Sequence, residues 1–152
     1  MAVISSQVFV LCDAANVRDG LLNILGAGIS SISRHEFPAQ LDCLVAIQFE
    51  ISGGSMDDEI VLRVVVSGGD GEQVDVPEFE TTLNQTPIEQ RTPKPTPALN
   101  NPSFTVPFIL NASALTVPAP GSYQMALFVN DQQLSSLRFH ASVLESAGTA
   151  AA

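Results

Sequence analysis

Charge is scarce in this chain. Acidic and basic residues make up 14% of its 152 residues, against about 25% in an average soluble domain, so Ser, Thr, Asn, Gln, Gly and Pro must fill much of the surface. Such a surface favours self-association. Basic residues are scarcer still: six Lys and Arg face sixteen Asp and Glu, for a net charge of -10. A chain of that sign repels phosphate backbones rather than releasing counterions from them, which argues against nucleic acid as a partner.

Long hydrophobic runs are missing as well. No stretch nears the roughly 18 consecutive apolar residues of a membrane span, and the segment from Met1 to Cys12 lacks the basic region that opens a secretory signal. The expectation is a cytoplasmic protein without membrane association, its Cys12 and Cys43 kept as free thiols in apolar strand patterns. Two cysteines and the two histidines, His35 and His140, fit no C-x-x-C or H-x-x-x-H spacing, so no structural zinc is expected. Convincing helical periodicity is absent throughout; Ala14 to Leu25 comes nearest, but Asn16, Asp19 and Gly20 turn it into a strand, loop and strand.

What the sequence does have is alternation. From Leu41 to Ile51 every odd position is apolar and most even ones are polar, the mark of a strand with one buried face. Leu44 and Ala46 break the rule on the outer face. The next strand, Ile60 to Val66, is apolar on both faces apart from Arg63, so something must cover those outer positions too. Phe104, Val106, Phe108 and Leu110 alternate through another strand, in which Pro107 suggests an edge or a bulge. A hairpin follows, with Tyr123, Met125, Leu127 and Val129 on one arm, Asn130-Asp131-Gln132-Gln133 as its turn, and Leu137, Phe139, Ala141 and Val143 on the other.

Five prolines between residues 84 and 102 resist helix and sheet and suit an extended crossover connection inside one domain. Residues 1–144 then read as a single all-β domain, an antiparallel β-sandwich of immunoglobulin-like or related topology with about eight to ten strands and little or no helix. Residues 145–152 read as a flexible tail.

Few residues offer chemistry. A nucleophilic set could only be built from Cys12 with His35 or His140, and no nucleophile-elbow sequence supports a Cys-dependent hydrolase; a packed core thiol explains Cys12 better. The acidic groups Asp57, Asp58 and Glu59, and Asp70, Glu72 and Asp75, hold enough oxygen for calcium but fit no EF-hand loop and read more simply as charged hairpin tips. Gly26 and Gly28 lack the Lys and Ser/Thr of a phosphate loop, so a bulge or a close backbone approach is the better reading. The proline segment offers no Pro-x-x-Pro spacing and reads as a spacer.

The stretch Cys12 to Gly28, with its Asp13, its Val17-Arg18-Asp19-Gly20 and its Leu22 to Leu25-Gly26, resembles the opening of a family of small bacterial proteins catalogued as a domain of unknown function. Pro120-Gly121-Ser122-Tyr123 and the hairpin to Val129-Asn130-Asp131 are similar to that family's ending. Leu21 stands where a Lys is common, and Asn-Asp replaces the usual Asp-Gly hairpin tip. These are turn motifs, so the resemblance implies a fold and no catalytic residue, cofactor or metal.

The sequence thus leads to a non-catalytic sandwich acting through protein–protein contact, expected to form a homo-oligomer, with Leu44, Ala46, Val61 and Val65 as the candidate interface. A ligand- or calcium-binding module using the acidic loops is the alternative.

Overall fold

A computed structural model describes residues 3–52, 60–68, 79–83 and 103–145. The strands are β1 (Val3–Cys12), β2 (Ala14–Arg18), β3 (Leu21–Leu25), β4 (Ser31–Arg34), β5 (Ala39–Gln40), β6 (Leu44–Ser52), β7 (Ile60–Gly68), β8 (Phe79–Leu83), β9 (Ser103–Asn111), β10 (Thr116–Val117), β11 (Gly121–Val129) and β12 (Gln132–Val143), with one 3-10 turn at Ala112–Ala114. The described chain is therefore all-β. It has more strands than the alternation suggested, because β5 and β10 span two residues each and are too short to show a period.

Two sheets form the sandwich. One has the order β1-β6-β9 and the other β4-β12-β11-β7-β8. Pairing is antiparallel except between β4 and β12, which run parallel. The alternation in each strand buries one face against the other sheet: Phe9, Leu11, Val45, Ile47, Phe49, Val106 and Leu110 from the first meet Leu62, Val64, Val66, Tyr123, Met125, Leu127, Val129 and Phe139 from the second in one apolar cluster. Fully burying such side chains stabilises by about 1.5–3 kcal/mol each.

The strand orders match the A-B-E and C′-C-F-G sheets of an immunoglobulin-like sandwich, with β1, β6 and β9 as the first set and β8, β7, β11 and β12 as the second. A second feature of this chain agrees. Tyr123, near the start of β11, donates its hydroxyl proton to the carbonyl of Ala119 four residues upstream, the arrangement of a tyrosine corner, while its ring stacks on Phe139 at 5.5 Å.

Turn chemistry fixes the hairpins. Asp19 and Gly20 both take positive φ, 52° and 75°, as do Asn130 and Asp131, 49° and 64°, which is the backbone twist that two-residue hairpin loops need. The β11–β12 turn is also tied to the neighbouring strand: Asn130 donates its N–H to the carbonyl of Val61 and its Oδ1 accepts from the Val61 N–H, each at 2.9 Å. Pro107 lies on β9, an edge strand among the described residues, where a missing N–H costs no ladder bond.

Candidate interaction faces

Each sheet has an outward face, and the two are treated differently. On the first, the register places Cys12 beside Leu44 and Val10 beside Ala46, with Asn111 and Ile109 on their far sides. Strand alternation turns Cys12, Val10, Leu44, Ala46 and Ile109 away from the sandwich core. The hairpin β2–β3, inserted between the first strand and β4, packs over β6 and β9 on this side. Its register pairs Ala15 with Ile24 and Val17 with Leu22 on one face, half-buried, and leaves Ala14, Asn16, Arg18, Leu21, Asn23 and Leu25 exposed on the other.

The expected interface needs correcting here. Ala46 is 0% exposed and Cys12 likewise, yet neither belongs to the central cluster; they lie in a second apolar layer roofed by the chain's own hairpin. Ala46 is thus out of reach of any partner while the hairpin is down, and Leu44 is half-covered. The chain meets in cis the demand for cover that the sequence raised.

The outward face of the five-stranded sheet has no such roof among the described residues. The register sets Ala126 against Val65 and Phe128 against Arg63, and Ser136, Arg138 and His140 continue the face on β12. Val65 pairs with Ala126, Arg63 lies between Val65 and Val61 and pairs with Phe128, and all four apolar side chains are half-buried. The Arg63 guanidinium lies 4.7 Å from the centre of the Phe128 ring and 3.9 Å from the exposed Asp131 carboxylate, and the register sets Glu80 of β8 directly across from it, so the cation on this patch rests on an aromatic face with acidic neighbours. Of the three arginines on strands of this sheet, Arg63 and Arg138 share the outward face, whereas Arg34 has the parity of the buried Ile32 and donates to the carbonyls of Ser33, Gln40 and Leu41.

Candidate chemistry does not converge. Cys12 and Cys43 are free and buried, Cys12 under the hairpin and Cys43 in the central cluster. Burial raises both thiols, Cys12 with help from Asp13 and Cys43 to about 11 against the opposing pull of Arg34. Neither is a ready nucleophile. His35 is exposed, and His140 is exposed with its Nδ1 3.3 Å from the Ser122 hydroxyl. No group of three His, Cys, Asp or Glu that could hold a metal occurs among the described residues. Asp57, Asp58, Glu59, Asp70, Glu72 and Asp75 lie outside the described residues, as does the proline segment. Among the described residues no helix is long and apolar enough to cross a membrane.

Gly26 explains itself in this frame. Its φ is 66°, and a Cβ there would lie 2.4 Å from Asp13 Oδ2, so the glycine serves a close approach at the base of the hairpin and not a phosphate. Phe128, Ala126 and the exposed Leu21 and Leu25 were not singled out from the sequence. The signal for Phe128 and Ala126 was present in the even positions of β11, but only the register with β7 shows that they adjoin Val65 and Arg63.

The model of a family of unknown function (DUF6941) matches residues 7–142. No curated protein matches the chain. Among solved structures, an immunoglobulin-like protein from Pseudomonas aeruginosa is similar at 16% identity and a TM-score of 0.39, with 91% of each chain covered. An alkylpurine DNA glycosylase from Pseudomonas fluorescens, bound to DNA containing an abasic site analogue, is similar at 11% identity and a TM-score of 0.35, over 74% of this chain and 28% of that one. A β-glucosidase from Listeria innocua in complex with glucose gives 10% and 0.39, over 95% of this chain and 16% of that one. The chain thus spans well under a third of the length of either enzyme.

Proposed function

The chain belongs to this family of unknown function, DUF6941, and we propose that it is a non-catalytic sandwich that works by protein–protein contact, associating with copies of itself through the outward face of its five-stranded sheet. The observation that carries the reading is the group of half-buried apolar side chains around Arg63 on that face, Val61, Val65, Ala126 and Phe128, in a sheet whose other side is already committed to the core. Desolvating these, with aromatic and Arg anchors at the centre and Ser, Gln and Arg at the rim, is the usual anatomy of a specific contact.

Charge leaves this face open to a second copy. Two copies of net charge -10 repel one another at long range, but on this face Arg63 and Arg138 stand with Glu80 and Asp131, so it meets its own copy without an excess of either sign. The test is sedimentation of Val65→Lys beside the native chain. Val65 points away from the core, so the variant is expected to fold and to stay monomeric at concentrations where the native chain associates. Equal association of both removes this face from the reading.

A further inference from the structure

We infer that the hairpin β2–β3 is an exchangeable flap, and that the apolar layer beneath it is a docking surface for the same hairpin of a second copy. The inference stands apart from the contact through the five-stranded sheet and uses the opposite side of the molecule.

The hairpin is attached as a unit, its exit held where the Gly28 and Ile29 N–H groups both donate to the Leu11 carbonyl. Its two strands hydrogen-bond to each other in a sheet of their own, and a lone two-stranded hairpin is marginally stable in water. Its inward side chains, Ala15, Val17, Leu22 and Ile24, are all half-buried and none is fully so. The layer it covers is well buried, by contrast, with Cys12 and Ala46 at 0% exposure. Lifting the hairpin therefore uncovers a surface shaped for it while leaving the central cluster intact, since Cys12 and Ala46 are no part of that cluster. Openings of this kind occur well below the free energy of global unfolding.

The joints favour exchange. The hairpin is entered through Asp13 alone and left through 26–30, where Gly26 and Gly28 take φ of 66° and 91°, and Gly26 is pressed against the Asp13 side chain. Short, tight hinges invite swapping of the element they carry. The contact is also free of charge on both sides: Ala15, Val17, Leu22 and Ile24 above, Cys12, Leu44, Ala46 and Ile109 below. In a chain of net charge -10, an uncharged contact is one that a second copy can make without bringing like charges together.

The test is complementation, in a Val65→Lys background so that the other face takes no part. A Leu22→Asp chain, isotopically heavy, cannot seat its own hairpin, and its Cys12 is expected to react with a thiol reagent under native conditions. An Ala46→Asp chain rejects any hairpin but keeps a native one free. Adding it in excess is expected to slow Cys12 labelling of the heavy chain by about tenfold, because binding of the native hairpin protects the native layer. Should Ala46→Asp fail to fold, deletion of Ala27 serves instead: the shortened connection is expected to shift the native mass in light scattering from one chain to two. Exchange is overturned by a Cys12 that stays unreactive in Leu22→Asp, by labelling unchanged in excess of the folded second chain, or by a one-chain mass after the deletion.

Discussion

Single atoms decide several features of this fold. Adding a methyl at Gly26 forces Asp13 aside and imposes a left-handed backbone on an L-residue, so Gly26→Ala is expected to lower stability by about 1–3 kcal/mol in urea titration. Gly28, at φ 91° but with open space around it, is expected to cost less on the same substitution. Cys43 sets a pH dependence. Burial holds its thiol at about 11, against 9.0 in the unfolded chain, so between those values the folded state keeps a proton that the unfolded state has lost. Stability from this group is full below about pH 9 and falls as pH rises toward 11. Cys43→Ala is expected to flatten the decline of the urea midpoint between pH 8 and 10.5.

The elements show why some of the fold was legible and some was not. Asp131→Gly tests the turn logic of β11–β12. Glycine takes the observed φ of 64° without strain, and the exposed carboxylate lost with it sits 3.9 Å from Arg63, a pair of little worth in water. Relief of the left-handed strain, about 1 kcal/mol, is offset by the freedom glycine adds to the unfolded chain, about 0.4–1 kcal/mol, so the variant is expected to keep the native urea midpoint or slightly exceed it. Asn130→Gly keeps the turn but loses the side-chain bond to Val61, and is expected to cost about 0.5–1.5 kcal/mol. Both hairpins could be read from sequence, because Asp-Gly and Asn-Asp between alternating runs report a local event. The doubly apolar strands were equally plain, but not what meets them. Leu44 and Ala46 look alike with Val61 and Val65 in a one-dimensional pattern, and only the path of β2–β3 across the first sheet separates a covered pair from an open one. Cys12 shows the same limit, since nothing in its neighbours tells a core thiol from one under a flap.

At the scale of the whole molecule, an acidic chain sets Arg63 and Arg138 on the outward face of one sheet and lays over the other sheet a hairpin whose charges, Arg18 and Asp19, lie at its exposed tip. Self-association through the arginine-bearing face works against a net charge of -10, and salt shortens the range of that repulsion from about 30 Å at 0.01 M to about 8 Å at 0.15 M. The association is therefore expected to strengthen with salt, whereas docking of a separate acidic partner on the same arginines weakens. The most direct measurement is the native mass by light scattering across a concentration series at 20 mM and 300 mM salt (roughly 20 Å and 6 Å of screening by the same rule). Contact between copies through Val61, Val65, Ala126 and Phe128 gives a mass that rises with concentration, rises further at the higher salt, and falls back to one chain in Val65→Lys. A mass of one chain at every concentration and both salts contradicts it.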